Sequence, residues 1–495
     1  MIVDLERNGK KPLYLQLKEK IGAMIAERLM LPGSRLPATR DLALSLGVSR
    51  NTVVQAYQEL EAEGLINSRV GRGAFVTLYP LVEISTPAAK QESCMSYEGL
   101  FSAGWSRANA DLVSVFEQLA QPPSKSLYID MASDQPNSGL LPVAAFGECL
   151  KSAVRRYGRS LFTTGSPCGF KPLLEYLPTL LARRNVMCRP ENLMIVSGVQ
   201  QALNLIGRLF IDPGDTVLLQ HFTYPGALGM FRSFQSTCIG IPTDHEGLCI
   251  DVLERILRHR RPKLLYIVPT FHNPTGTTLP AERRRRLVEL AREHAFLVVE
   301  DDYAHDLAFD GREAYPLKSW DTVGGIIHLG SFSESLFPGI RLSWIVASKP
   351  IIERLALLKQ SYDLYTNRII QGALLEYCRK GCYDRELKRK RQVYARRCDS
   401  LFRAMEYHFP DAVTWRKPKG GLFQWVDIPE SLDAFALLLR TRERGVVFTP
   451  DRMFAVEEWS RGGFRLGFTS PEEDQIPEGV KIIGETLKDI LATVA

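Results

Sequence analysis

The sequence carries groups that suit a ligand with a phosphate and a flat ring. Ser197-Gly198-Val199 follows an apolar run and precedes an amphipathic run, which predicts a loop between a strand and a helix. Backbone N–H groups at a helix N-terminus bind phosphate, and a glycine there lets the phosphate approach closely. Tyr224 can stack on a flat ring. Asn273 brings an amide to the sheet edge where α/β folds bind ligands.

Further polar groups follow the next two apolar runs. Asp301 can pair with a pyridinium nitrogen, and the Tyr303 hydroxyl can hydrogen-bond a ring oxygen. Ser331, Ser333 and Arg341 bring hydroxyls and a guanidinium that suit phosphate. Each feature also has a purely structural explanation, since Asn-Pro-Thr-Gly is a good turn and an aspartate often caps a helix. Their combination in this order indicates a phosphorylated aromatic cofactor.

The elements that must position these groups follow from the hydrophobic pattern. From about Leu127 to the end, strand-like apolar runs alternate with amphipathic helical runs, which predicts an α/β domain with a mostly parallel sheet. Four consecutive arginines, 283–286, fall in one helical run and are interpreted as a solvated helix face. The predicted strands include Leu193–Val196, Thr216–Leu219, Leu264–Val268, Phe296–Val299 and Ile326–Leu329.

Residues 1–77 have a different pattern, with short helical runs followed by a glycine-rich segment. Apolar side chains at helical spacing from Tyr14 to Leu29 predict a first helix. Thr39 is expected to cap a second helix, Gly47 to supply a turn, and Ser49 to cap a third. Two short helices around a glycine turn predict a helix-turn-helix, whose second helix can enter the major groove of DNA. The structural alternative is a docking module with solvated arginines.

The candidate DNA contacts lie on the first turns of that third helix and on the hairpin predicted for Leu65–Val76. Side chains there can reach base edges or phosphates. The candidates are Arg50, Asn51, Thr52 and Gln55 on the helix, and Arg69 and Arg72 on the hairpin.

Composition sets the outer limits. The 495 residues include 62 Lys and Arg against 56 Asp and Glu, and a formal charge of +6 is too small to indicate nucleic-acid binding by itself. Nine scattered cysteines without zinc-ligand spacing predict reduced thiols and no metal site. Without a signal peptide or an apolar run of membrane-spanning length, a cytoplasmic protein with no membrane contact is expected. Residues 78–126 are interpreted as a linker between domains at 1–77 and 127–495.

The segment 36–65 with the Gly-Arg-Gly at 71–73 resembles the winged-helix domain of GntR-family regulators. The ordered cofactor groups resemble a fold-type I pyridoxal-phosphate domain of the aspartate aminotransferase kind. Together, over nearly all 495 residues, the chain resembles the MocR subfamily of bacterial GntR regulators. The resemblance implies DNA contacts at Arg40, Arg50 and Thr52, with Gly71 in the wing. It also implies a homodimer.

The resemblance assigns roles in the large domain. Asp301 would pair with the ring nitrogen of pyridoxal phosphate, Asn273 and Tyr303 would hold the ring oxygen, and Tyr224 would stack on the ring. Arg465 would receive an effector carboxylate. The phosphate would be held by Ser197, Gly198, Val199, Ser331, Ser333 and Arg341.

The chain departs from the family pattern at two positions. Glu334 stands where the family has the lysine that links covalently to the cofactor aldehyde and shuttles a proton in transamination. Thr164 stands at about the place of a tyrosine that contacts the neighbouring subunit's phosphate. A carboxylate cannot perform the lysine's chemistry, so the domain is predicted to be inactive as an enzyme.

Three hypotheses remain for Glu334. The cofactor site has been lost and only a dimer scaffold is left, or the cofactor binds non-covalently, or the glutamate is an engineered or chance change. Non-covalent binding would suit pyridoxamine phosphate better than pyridoxal phosphate, because a carboxylate can pair with an ammonium.

We therefore predict a regulator that binds double-stranded operator DNA and senses a cofactor of this type, or an amine or amino-acid effector. The rivals are an active aminotransferase and a cofactor-independent repressor whose large domain only dimerises.

Overall fold

The computed structural model describes residues 11–26, 30, 34–69, 73–77, 129–311, 314–457 and 462–494. The chain divides into two compact units, residues 1–99 and 100–495. The linker predicted for residues 78–126 lies outside the described residues, as do Leu29, Gly71 and Arg72.

The described residues of the N-terminal unit form three helices and a two-stranded antiparallel hairpin. Its core is formed by one apolar face of each helix, including Ile21, Leu42 and Leu60, and by the inward residues Ile66 and Val76 of the hairpin. This arrangement is a winged helix-turn-helix, as the sequence predicts. The elements are α1 (Leu13–Ala26), α2 (Thr39–Leu46), α3 (Arg50–Ala62), β1 (Ile66–Arg69) and β2 (Gly73–Val76).

Two of the three expected cap or turn residues act as predicted. Gly47 ends α2 in the left-handed region (φ 62°), and the Ser49 hydroxyl accepts a hydrogen bond from the Thr52 N–H at 3.1 Å. The prediction for Thr39 is wrong. Thr39 is the first residue of α2, and Ala38 occupies the cap position without a side-chain hydrogen bond.

The large unit is built around a seven-stranded sheet in the order β4-β12-β11-β10-β9-β5-β6. Only β12 runs antiparallel to its neighbours, so the sheet is mostly parallel, as predicted. Its strands are β4 (Leu193–Val196), β5 (Thr216–Gln220), β6 (Thr237–Ile241), β9 (Leu264–Ile267), β10 (Leu297–Asp301), β11 (Ile326–Ser331) and β12 (Ser343–Val346).

Both faces of this sheet are covered. Val217 and Val299 belong to one apolar cluster, while their sequence neighbours Leu218 and Val298 belong to another. Alternation between two buried faces explains why the strands are nearly continuous apolar runs. The helices of this unit are α4 (Val143–Tyr157), α5 (Lys171–Ala182), α6 (Val199–Phe210), α7 (Pro225–Ser233), α8 (Ile250–His259), α9 (Ala281–Glu293), α10 (Lys349–Gln360), α11 (Arg368–Arg379), α12 (Cys382–His408), α13 (Ala434–Glu443) and α14 (Gln475–Val494).

The remaining strands are short and lie outside the large sheet. A four-stranded antiparallel sheet has the order β13-β14-β17-β16 and carries Arg465. Two further strand pairs are β15 with β3 and β7 with β8. In the large unit, the strands outside the large sheet are β3 (Ile129–Asp130), β7 (Thr243–Asp244), β8 (Gly247–Leu248), β13 (Thr414–Trp415), β14 (Phe423–Asp427), β15 (Val446–Val447), β16 (Thr449–Pro450) and β17 (Gly463–Gly467).

The arginine run at 283–286 is not a uniformly solvated face. Arg284 is 0% exposed, and its guanidinium donates to the carbonyls of Leu279 and Pro269 at 2.7 Å each. Arg283 instead pairs with Asp244. Helical periodicity assigns one face to solvent, but a buried guanidinium is stable when carbonyl oxygens satisfy its donors. Arg284 thereby fixes the start of the loop that carries Asn273.

Candidate functional site

The carboxyl ends of the parallel strands bring most of the predicted cofactor residues to one pocket, called here the central pocket. Ser197 follows β4, Tyr224 follows β5, Asn273 follows β9, and Asp301 and Ser331 end β10 and β11. Parallel strands end at the same sheet edge, so these groups converge. The central pocket is lined by Asp134, Val199, Gln200, Tyr224, Tyr266, Val268, Asn273, Asp301, Tyr303, Ser331, Ser333, Glu334 and Arg341.

Asp301 lies at the floor of the central pocket, 3% exposed. Its Oδ2 accepts a hydrogen bond from the Tyr266 hydroxyl at 2.7 Å, while its buried Oδ1 has no partner among the described residues. Burial raises the pKa of Asp301 to about 7, and the Tyr266 hydrogen bond opposes that rise. A cation next to Oδ1 would restore the charged form.

Asn273 and Arg465 are coupled directly. The Arg465 Nη1 donates to Asn273 Oδ1 at 2.8 Å, and its Nη2 donates to the Ala132 carbonyl at 2.8 Å. The Asn273 amide NH₂ is thereby oriented as a donor for another group. Tyr303, on the same loop edge, donates its hydroxyl hydrogen to the Phe271 carbonyl at 3.0 Å, and burial raises the pKa of that hydroxyl well above its usual value.

The residues predicted to bind phosphate include Ser197, Gly198 and Val199, which lie at the N-terminus of α6. Gly198 has a φ of 105°, and a Cβ at this position would lie 2.1 Å from Nη2 of Arg341. Only glycine therefore lets the guanidinium approach. Arg341 donates to the Ser197 carbonyl at 3.1 Å. Arg341 lines the central pocket, and Ser197 and Gly198 lie directly behind it in contact with its guanidinium.

Two serines complete the polar lining on the β11 side. The Ser331 hydroxyl accepts from the Ser333 N–H at 3.0 Å and lies 3.2 Å from the Ser343 hydroxyl. The Ser333 hydroxyl is buried and has no partner in the described part of the chain. An unsatisfied buried hydroxyl is costly unless a ligand supplies the missing hydrogen bond.

Glu334 brings a carboxylate into the same pocket. Burial and, next, the charges of Asp134 and Asp301 raise its pKa to about 8, while Lys390 and Arg341 oppose that rise. Lys390 lies in α12, is 0% exposed, and donates a short hydrogen bond to the Leu336 carbonyl. Burial lowers the pKa of Lys390 to about 8 as well. The charge of Glu386 and, next, that of Glu334 oppose the lowering of the pKa of Lys390, as Lys390 opposes the rise in the pKa of Glu334.

In the N-terminal unit, the candidate DNA contacts are presented to solvent. Arg40, Arg50, Asn51 and Gln55 are exposed and make no hydrogen bond or ion pair with other described residues. Thr52 is half-buried, and its hydroxyl lies 2.8 Å from that of Ser49. Arg69 ends β1, next to the part of the wing that the structure does not describe.

Comparison with known proteins matches both units. Residues 13–76 match the family described as bacterial regulatory proteins, gntR family, and residues 137–483 match aminotransferase class I and II. The transcriptional regulator TauR of Rhodobacter capsulatus is 30% identical over 98% of this chain and 98% of its own. The probable rhizopine catabolism regulatory protein MocR of Rhizobium meliloti is 28% identical over 96% of this chain and 94% of its own.

The chain belongs to the MocR subfamily of GntR-type regulators. Among solved structures, the α-aminoadipate aminotransferase LysN of Thermus thermophilus is similar to the large unit. It is 31% identical and has a TM-score of 0.74, covering 81% of this chain and all of that one. The chain is accordingly a DNA-binding regulator with a fold-type I aminotransferase domain, a fold that implies binding of pyridoxal or pyridoxamine phosphate.

The donors and acceptors of this MocR-type pocket fit such a cofactor. The unpartnered Asp301 Oδ1 suits a protonated ring nitrogen, and the unpartnered Ser333 hydroxyl suits a phosphate oxygen. The close approach of Arg341 at Gly198 brings a guanidinium to the N–H groups of α6. The pocket of this MocR-type chain is therefore suited to the cofactor's two polar ends.

Sequence reasoning missed several residues in the central pocket or next to it, including Tyr266, Lys390 and Asp134. Tyr266 is the one residue with a polar group in an otherwise aliphatic strand. Because a buried tyrosine hydroxyl usually has a hydrogen-bond partner, this residue could have indicated a polar group nearby. Lys390 lies among many charged residues of α12, where the pattern does not distinguish it. Asp134 follows β3 in an irregular segment without a recognisable motif.

None of the helices in the described part of this MocR-type chain is long and apolar enough to cross a membrane.

Proposed function

We propose that this MocR-type regulator holds a pyridoxal-type cofactor non-covalently in its domain at 127–495, and that it does not catalyse transamination. The domain at 1–77 binds operator DNA, and residues 78–126 link the two. An amine or amino-acid effector in the central pocket changes operator affinity. The observation that carries the proposal is Glu334, a carboxylate that lines the central pocket together with Asp301 and Arg341.

Each end of the cofactor has matching groups on this chain. Asp301 would hold the proton on the ring nitrogen, supported by the hydrogen bond from Tyr266. Asn273 and Tyr303 would bind the ring oxygen, and Tyr224 would stack on the ring. The phosphate would be held by Ser197, Gly198, Val199, Ser331, Ser333 and Arg341.

Glu334 determines which form of the cofactor is preferred. Pyridoxal phosphate supplies an aldehyde that reacts with amines, whereas pyridoxamine phosphate carries an ammonium. A carboxylate cannot bond covalently to the aldehyde as the family's lysine does. An ammonium beside Glu334 would favour its charged form and offset the burial that raises its pKa to about 8. The aminated form should therefore bind more tightly.

The N-terminal unit supplies operator binding. Arg50, Asn51, Thr52 and Gln55 lie on the first turns of α3, the helix expected to enter the major groove. Arg40 is expected to contact phosphate, and Arg69 ends β1. Gly71 and Arg72, which lie outside the described residues, are expected to contact DNA as well. As a homodimer, the protein would present two such units to two half-sites.

The proposal is tested by selecting DNA and then adding ligands. The full-length protein would be used to enrich binding sites from a randomised duplex pool, and affinity for the selected duplex would be measured by fluorescence anisotropy. We expect paired half-sites, and an affinity that changes at least threefold when pyridoxamine phosphate and an amine are added.

Two results would replace this proposal. Operator affinity that no cofactor or amine changes would identify a cofactor-independent repressor whose large domain only dimerises. Repeated turnover of an amino acid by the unmodified protein, followed by absorption spectroscopy, would identify an active aminotransferase.

A further inference from the structure

Asp134 is a carboxylate of the central pocket that the proposed cofactor does not use. It follows β3, in a segment fixed by Asp130, whose Oδ1 accepts from the N–H groups of Ala132 and Ser133 at 3.0 Å each. The Ala132 carbonyl in turn accepts from Arg465 at 2.8 Å. Asp134 therefore lies two residues after the carbonyl that Arg465 binds, and the charge of Asp134 acts on the Arg465 guanidinium.

The Asp134 carboxylate is half-buried and makes no hydrogen bond or ion pair with the residues that the structure describes. The charge of Asp134 nevertheless acts on two other groups of the site, Glu334 and Arg465. It is the largest cause, after burial, of the raised pKa of Glu334, and it opposes the lowering of the pKa of Arg465 by burial. Among the lining residues, Asp134, Glu334 and Asp301 are acidic, and only Arg341 is basic.

Arg465 supplies the complementary observation. It is 6% exposed, and its Cζ lies 3.9 Å from the ring centroid of Phe423. Its two Nη atoms have partners, but its buried Nε has none in the described part of the chain. A buried guanidinium with an unused donor is suited to an anion, and a carboxylate is the planar anion that it binds best.

An unpaired carboxylate next to an incompletely satisfied guanidinium is the complement of a zwitterion. In an aminotransferase the substrate amine reacts at the cofactor, but with Glu334 in the pocket the amine needs a counter-charge instead. We propose that Asp134 binds the ammonium of an intact amino acid whose carboxylate is bound by Arg465. This inference rests on the proposed function and identifies its effector class as a zwitterionic amino acid, bound without covalent change.

The test compares matched ligands by titration calorimetry on the full-length protein saturated with pyridoxamine phosphate. Glycine, β-alanine and γ-aminobutyrate vary the distance between the two charges, and acetate, propionate and butyrate lack the ammonium. We expect at least one amino acid to bind about tenfold or more tightly than its matched carboxylate, as for a charge-assisted hydrogen bond.

Asp134→Asn should abolish this preference, so that each amino acid binds the variant no more than about twofold more tightly than its matched carboxylate, while pyridoxamine phosphate still saturates the variant. The matched control is Gln135→Ala, which shortens the exposed neighbouring side chain and should retain the preference. A preference that survives Asp134→Asn, or the absence of any preference, would overturn the inference alone. If pyridoxamine phosphate itself does not bind, the proposed function fails and this inference fails with it.

Discussion

The two units of this regulator present their binding groups in opposite ways. On α3, the side chains of Arg50, Asn51 and Gln55 are exposed and make no hydrogen bond or ion pair with other described residues. In the central pocket, Asp301 and Asn273 are buried and each is held by a hydrogen bond from a side chain on another element. The α3 side chains are expected to gain partners when DNA binds, whereas the side chains of the central pocket are already held by the protein itself.

This difference affects how each unit should respond to change. Exposed cations act through the charge of the DNA backbone, so their contribution is modest per residue and depends strongly on salt. Buried groups act at fixed distances in a medium of low polarity, so a single altered side chain can change the chemistry of the pocket. The predictions below test that contrast, from the largest expected effect to the smallest.

Glu334→Lys should produce the largest effect. A lysine in the central pocket can bond covalently to pyridoxal phosphate, which Glu334 cannot do. We expect near-stoichiometric attachment in the variant and none in the unmodified protein, measured by intact mass after borohydride reduction. Glu334→Gln is the matched control and should show no attachment. Attachment to the unmodified protein would contradict the account.

Asp301→Asn should weaken binding of pyridoxamine phosphate by about tenfold to a hundredfold, because a charge-assisted hydrogen bond contributes roughly 1.5–3 kcal/mol. Calorimetry measures the change. Asp411→Asn makes the same substitution at an exposed position and should leave affinity unchanged. An unchanged affinity in Asp301→Asn would show that the ring nitrogen is not bound at this carboxylate.

Arg50→Ala should weaken binding to the selected operator by about tenfold and reduce its salt dependence by about one counterion, as for a lost phosphate contact. Anisotropy titrations at several salt concentrations measure both. Arg258→Ala removes the same charge from an exposed position on α8 and should change neither. Equal losses in both variants would mean that net charge alone matters.

Glu334→Gln should stabilise the ligand-free protein at pH 8 by roughly 1 kcal/mol, and by less at pH 5. The folded-state pKa of Glu334 is raised to about 8, so this residue lowers stability progressively as pH rises from its unfolded pKa, near 4.5, towards 8. The gain is limited because Lys390 loses one of the two acidic groups that favour its charged form, Glu334, and retains only Glu386. Thermal unfolding at the two pH values measures it, and equal midpoint shifts would contradict the assignment.

Local features were predictable from the sequence. The apolar runs located the strands of the large sheet to within a few residues, and the Ser49 cap and the Gly198 turn each depend on adjacent residues. The convergence of Asp301, Asn273 and Ser331 also follows from strand polarity, which is a topological rule. Their hydrogen-bond partners were not predictable in the same way.

Those partners come from distant segments of the chain. Tyr266 meets Asp301 because β9 pairs with β10, and Arg465 meets Asn273 from a separate sheet. Arg284 is stable in the interior because the carbonyls of Pro269 and Leu279 in one loop and of Tyr315 in another accept its hydrogen bonds. Periodicity alone favours a solvated face. Such contacts depend on tertiary packing, which local pattern does not encode.

The central claim is that this pocket binds its cofactor without a covalent link and favours the aminated form. Titration calorimetry of the unmodified full-length protein with pyridoxamine phosphate and with pyridoxal phosphate tests it directly. The account predicts saturable binding of both, with pyridoxamine phosphate the tighter ligand. Equal affinities, a tighter pyridoxal phosphate, or no binding of either compound would contradict it.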